Sequence, residues 1–180
     1  MRVIAGAYKG RRLKAPTWDG LRPTSDKLRE TLFNIVSHRV AQTRVLDAYA
    51  GTGAVGIEAL SRGASHVTFV EMNPRAAALI EANLTLCGVR QGYTIQRGDV
   101  SSVLRRFPDG AAFDLIFLDP PYDADDATQA LEAAAAILTA DGVVVLERAS
   151  RREPEIPATL QRVRDVKSGD STLTFLERRV

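Results

Sequence analysis

An α/β fold built on a parallel sheet is predicted by three features of this chain of 180 residues. From Arg44 onward, short apolar runs alternate with stretches of helical spacing. Glycines or an Asn-Pro pair stand where those helices should stop or start. A glycine-rich turn follows directly on the first apolar run. Alternation of this kind implies right-handed crossovers, with helices covering the sheet.

Taken in order, residues 2–5 and 11–14 flank Gly6-Ala7-Tyr8-Lys9-Gly10 and predict a small hairpin. Residues 16–23 read as a loop. Thr24 or Ser25 is the expected N-cap of a helix running to about His38, with Asp26 in its first turn and Leu28, Leu32, Ile35 and Val36 at helical spacing. Strands are expected at 44–48, 66–71, 93–97, 113–119 and 142–147. Helices fit 54–62, 75–87 and 125–139, with a shorter one near 101–106. Asn73-Pro74 supplies a cap and a proline at the first helical position, and Gly63 and Gly88 fall where helices should end. The tail differs. Residues 159–167 and 172–178 read as two strands joined by Ser168-Gly169-Asp170-Ser171, which puts an antiparallel pair at one sheet edge.

Composition narrows the classes of function. With 45% hydrophobic and 26% charged residues the chain is ordinary for one globular domain. Cys87 is the only cysteine, so no disulfide can form within the chain and a reducing compartment is expected. The start is basic but has no apolar core of a signal peptide, and no apolar run is long enough to span a bilayer. A cytoplasmic protein is the expectation. Residues 1–30 hold eight basic and three acidic side chains, a local charge of +5, whereas the other 150 carry −3. A basic front on an acidic body points to a polyanionic partner. The division expected is a basic arm at 1–24 and a main domain at 25–180.

Residues 113–123, Phe-Asp-Leu-Ile-Phe-Leu-Asp-Pro-Pro-Tyr-Asp, carry the most specific chemistry. Leu115 to Leu118 suit a strand buried on both faces. Pro120 and Pro121 have no N–H to donate to a ladder, so the strand stops at Asp119. What remains is a stiff, extended edge bearing a carboxylate, carbonyl oxygens and the ring of Tyr122. Such an edge suits a flat group with an exocyclic NH₂. Asp119 and the Pro120 carbonyl would each accept a hydrogen while Tyr122 stacks on the ring.

Glycines 51, 53 and 56 follow the strand Val45-Leu46-Asp47 with nucleotide-binding spacing, and Glu71 stands twenty residues after Gly51, where ribose hydroxyls are held. Asp47 adds negative charge ahead of the glycines, which disfavours a pyrophosphate and favours an ammonium or sulfonium. Asp99, after the third strand, is an acceptor suited to an adenine amine. S-adenosylmethionine fits this acidic rim better than a dinucleotide. No His, Cys or acidic cluster has metal-ligand spacing, so no metal is expected.

These residues resemble Rossmann-like methyltransferases that act on exocyclic amines. The front narrows the resemblance: Arg2-Val-Ile-Ala-Gly6, Lys9-Gly10-Arg11, Leu21-Arg22-Pro23-Thr24 and Arg29-Glu30-Thr31-Leu32-Phe33-Asn34 closely resemble the RsmD family, which methylates a guanine N2 of bacterial 16S ribosomal RNA. The resemblance implies a seven-stranded sheet in the order 3-2-1-4-5-7-6, with strand 7 antiparallel. It implies S-adenosylmethionine as methyl donor, with Glu71 on the ribose and Asp99 on the adenine amine. Asp119, Pro120 and Tyr122 would then hold the guanine. The +5 charge of the front separately points to Arg2, Lys9, Arg11, Arg12 and Arg22 as contacts to RNA phosphates, with Gly6 and Gly10 letting backbone approach the polyanion. A partly assembled small subunit with its ribosomal proteins is the implied substrate, and a monomer is expected. Three other readings share parts of the pattern: an adenine-N6 methyltransferase, an NAD(P)-dependent oxidoreductase and a non-catalytic RNA-binding protein.

Overall fold

The computed structural model describes residues 1–19, 24–108, 113–121 and 124–179, less the side chains of 124–126. Helix α1 (Asp26–Val36) leads into the alternating part of the chain, which runs β1 (Arg44–Ala48), α2 (Ala54–Ser61), β2 (His66–Glu71), α3 (Pro74–Cys87), β3 (Tyr93–Arg97), α4 (Val100–Leu104), β4 (Phe113–Leu118), α5 (Ala124–Ile137) and β5 (Leu138–Ala149). Strands β6 (Leu160–Ser168) and β7 (Ser171–Arg178) close it. The sequence explains the boundaries. Ser25 caps α1, its Oγ accepting from the Leu28 N–H at 3.1 Å. Asn73 accepts from the Arg75 N–H at 2.8 Å ahead of Pro74, and Gly88 ends α3 at φ +76°.

The seven strands form one sheet in the order β3-β2-β1-β4-β5-β7-β6, with β7 antiparallel to both β5 and β6. The order is the one implied by the resemblance. Strand β5 begins earlier than expected. Leu138 already pairs with Phe113, and a register shift between Phe113 and Leu115 absorbs the extra residues. Asp114 stabilises that irregularity by accepting from the Arg44 N–H at 2.9 Å and the Thr139 hydroxyl at 3.2 Å.

Each sheet face buries its own core. Leu28, Phe33, Ile57 and Ile80 of α1–α3 pack on Val45, Phe69, Phe117 and Val145. On the other face, Leu104, Leu131 and Ala134 pack on Leu46, Ile116, Val144 and Leu146. A fully buried Leu or Phe contributes about 1.5–3 kcal/mol. The two faces also fix where polar side chains at the strand ends point, because direction alternates along each strand.

The hairpin expected at the front is present as a single antiparallel bridge, Arg2 to Arg12. Around it Val3 and Arg11, Gly10 and Val3, and Leu13 and Met1 are joined by backbone hydrogen bonds, and the segment also bonds to the main domain. Glu58 accepts from the Ile4 N–H at 2.8 Å and the Ala5 N–H at 3.0 Å, and Ser61 accepts from the N–H groups of Ala7 and Tyr8. Asn83 of α3 bonds both polar groups of the Lys14 backbone. Val3 and Leu13 are buried, while Arg2, Lys9, Arg11 and Arg12 remain exposed. At Gly6, with φ +82°, an added Cβ would stand 1.8 Å from the Ser61 carbonyl oxygen, so glycine is required by packing on α2.

Arg29, one of the eight basic residues of the front, is completely buried. Its guanidinium donates to the Arg2 carbonyl and, at 2.9 Å, to Asp26, with Glu58 at 3.9 Å. Burial, partly offset by the two carboxylates, lowers its pKa. Arg29 and Glu58 thus tie α1, α2 and the N-terminal segment together.

Candidate active site

The sheet order changes direction between β1 and β4, and ligands of open α/β sheets bind outside the strand ends at that point. A cavity of about 530 Å³ opens there. Its lining includes Asp47, Tyr49, Gly51 and Thr52 from the β1 end, Asp119, Pro120 and Pro121 from the β4 end, and Glu147 from β5. Thr24, Ser25 and Leu28 of the α1 start and residues 168–171 of the β6–β7 turn complete it. Among the described lining residues there are four carboxylates, Asp47, Asp119, Glu147 and Asp170, and no lysine or arginine. A lining so rich in carboxyl groups suits a cationic ligand and disfavours a pyrophosphate.

The glycine loop follows the physical logic of its spacing. Gly51 and Gly53 have φ +55° and +75°, values that cost other residues strain. Gly56 is needed for close helix–sheet packing, since a Cβ would stand 2.2 Å from the Phe69 ring. Asp47 is 2% exposed and accepts from the Gly56 N–H at 2.8 Å. Burial pushes its pKa up to about 8; the Gly56 bond opposes the rise and the Glu71 charge adds to it.

Glu71 holds the loop from the other side. Its two oxygens accept from the N–H groups of Gly51 and Asn73, each at 2.8 Å. A carboxylate has about four acceptor positions, so ribose hydroxyls can still be received. Asp99 is exposed and caps α4, accepting from the Ser102 N–H at 2.8 Å; hydrogen bonding from the Ser102 side chain, and then from this N–H, lowers its pKa. The structure thus brings Asp47, Gly51, Asp119 and Pro120 to one cavity. Gly53, Gly56 and Glu71 support its wall, while Asp99 stands outside the described lining. Tyr122 and Arg22 lie outside the described residues.

Some cavity residues had no signal in the sequence. Tyr49 adopts φ +61°, rare for a bulky side chain. Thr24, Leu28 and Glu147 reach the site only through the order of elements in space. The basic segment borders it too, because the Thr52 hydroxyl lies 3.7 Å from the Met1 sulfur and Asn83 binds the Thr52 carbonyl at 2.9 Å.

Sheet order, glycine loop and the Asp119-Pro120-Pro121 edge together define a Rossmann-like methyltransferase. Residues 1–177 match the family model described as conserved hypothetical protein 95, and the chain belongs to that family, the RsmD family of the resemblance. It is similar to ribosomal RNA small subunit methyltransferase D of Haemophilus influenzae, 41% identical over 133 residues, covering 73% of this chain and 68% of the relative. It is also similar to YlbH of Bacillus subtilis, at 38% identity over 89% of this chain and 88% of that one. A solved structure of the Escherichia coli protein yhhF superposes with a TM-score of 0.87 at 26% identity, covering 99% of this chain and 97% of that one. Among the described residues, no helix is long and apolar enough to cross a membrane, and no cluster could hold a metal ion.

Proposed function

We propose that this enzyme transfers a methyl group from S-adenosylmethionine to the exocyclic N2 of a guanine in 16S ribosomal RNA, within a partly assembled small subunit in the cytoplasm. The observation that carries the reading is the cavity itself, where Asp119 and Pro120 meet a lining that is acidic, and free of lysine and arginine, among the described residues, beside the glycine loop. The same charge pattern argues against a dinucleotide. In this reading Asp47 faces the ligand's ammonium, Glu71 its ribose and Asp99 its adenine amine, while the Gly51 to Gly56 turn keeps side chains out of its way.

When bound, S-adenosylmethionine supplies a sulfonium methyl, whose carbon–sulfur bond breaks as the bond to N2 forms, leaving a neutral thioether. The chain's task is to make a poor nucleophile ready. Asp119 and the Pro120 carbonyl accept the two amine hydrogens, which favours a more tetrahedral nitrogen and aims its lone pair. The methylated nitrogen is acidic and gives its proton to Asp119 or to water, so no strong base is needed. Orientation of this kind is worth roughly 7–11 kcal/mol. Tyr122 stacks on the flipped base, contributing about 1–3 kcal/mol.

The test is methyl transfer with labelled donor to 16S rRNA, both naked and in small subunits from cells lacking this protein. Label is expected on N2 of one guanine. Label on an adenine, or on neither form of the RNA, overturns the reading.

The exposed Arg2, Lys9, Arg11 and Arg12, with Arg22, are the proposed phosphate contacts. Replacing Arg11 and Arg12 by alanine should weaken RNA binding and flatten its salt slope by about 1–1.5, at roughly 0.7 per single-strand contact. Melting and cofactor affinity should be unchanged, because neither side chain is part of the buried front. Equal RNA affinity and salt slope in variant and parent remove these residues from the interface.

A further inference from the structure

We infer that Glu147 reads the N1–H of the target guanine and so selects guanine over other bases with a 2-amino group; this rests on the guanine-N2 reading above. Leu118 of β4 pairs with Leu146 of β5, and both belong to the core on one sheet face. One residue further on, Asp119 just past the end of β4 and Glu147 within β5 therefore stand side by side, directed to the opposite face. Phe117 and Val145, one step before the leucines, belong to the core of that opposite face, as the alternation requires. Both Asp119 and Glu147 line the large cavity.

Neighbouring strands lie about 4.8 Å apart. Two carboxylates at that spacing present adjacent acceptors. Guanine presents adjacent donors, N1–H and the N2 amine, on one edge. With Asp119 and the Pro120 carbonyl taking the amine, Glu147 is placed for N1–H. Adenine and 2-aminopurine carry a lone pair at N1, which a carboxylate repels. The ring also has a seat. Glu147, Pro120 and Pro121 border a second hollow of about 250 Å³, whose walls include Ala127, Leu146, Ala149 and Pro154 alongside Arg148, Arg152 and Glu153. The donor edge can thus meet the carboxylates while the ring lies against apolar wall.

The experiment compares guanine with 2-aminopurine, which keeps the methyl-accepting amine but reverses N1. Once the methylated position is mapped, ligated 16S rRNA is prepared with either base there and assembled as the wild-type enzyme requires. Wild type should prefer guanine strongly by kcat/KM. In Glu147→Gln, whose amide can donate to N1, the preference should fall by roughly tenfold or more. Glu147→Ala should lose preference as well, with both substrates slowed. Melting and calorimetry with S-adenosylmethionine check that each variant is folded. Two folded variants with the wild-type ratio overturn the role of Glu147 alone. A wild-type enzyme that puts no methyl on guanine N2 overturns the functional reading and this inference with it.

Discussion

Asp119→Ala should reduce methyl transfer by roughly 10²–10³-fold in kcat, the usual cost of removing one preorganised polar group from the reacting centre. S-adenosylmethionine affinity should hardly change. Asp119 stands on the β4 edge with Pro120, whereas the glycine loop and Glu71 belong to the β1 and β2 ends. Asp119→Asn, which keeps a carbonyl acceptor, should recover much of the rate. The contrast is informative because a structural loss would lower cofactor affinity and melting temperature in both variants. Single-turnover rates and calorimetry on the same preparations decide it. An alanine variant with full activity would show that the amine is oriented by something else.

How much of this was legible in the chain depended on how local each signal is. Leu115 to Pro121 could be read directly, because two prolines end any strand and the carboxylate before them must stand at its edge. The glycines were legible as a pattern, and the close approach of Gly56 to Phe69 is the physical reason for it. The front was read with too much regularity. Val3, Gly10 and Leu13 donate across the hairpin, but the N–H groups of Ile4, Ala5, Ala7 and Tyr8 turn to Glu58 and Ser61 of α2, so the pairing is short and centred on the Arg2–Arg12 bridge. Arg29 looked like one more surface charge. Only the packing of α1 beside α2 shows that it is enclosed by Asp26, Glu58 and the Arg2 carbonyl. Glu147 had no signal of its own, since its place beside Asp119 comes from β5 lying next to β4 in one particular register.

The buried Asp47 should make stability fall as pH rises, in a way that Asp47→Asn removes. Its pKa is about 8 in the folded chain, against roughly 4 when unfolded. Between those values the folded protein holds a proton that the unfolded chain has released. The proton's contribution is therefore fully present below pH 4, declines by about 1.4 kcal/mol per unit through the window, and is gone above pH 8. Asparagine keeps an oxygen for the Gly56 N–H but has nothing to titrate. Urea unfolding at pH 5, 6.5 and 8 should thus give curves for wild type and variant that diverge, with the variant gaining relative stability toward pH 8. Parallel curves would mean that Asp47 is already charged in the folded protein. The same proton links stability to the methyl donor. A cation bound beside Asp47 favours its ionised form, so S-adenosylmethionine should bind near pH 7 with release of a proton, and should bind more weakly as the pH falls. Calorimetry in buffers of different ionisation enthalpy reads that proton directly. Its loss in Asp47→Asn would place the ammonium of the cofactor against this carboxylate, at the end of β1 where the glycine loop begins.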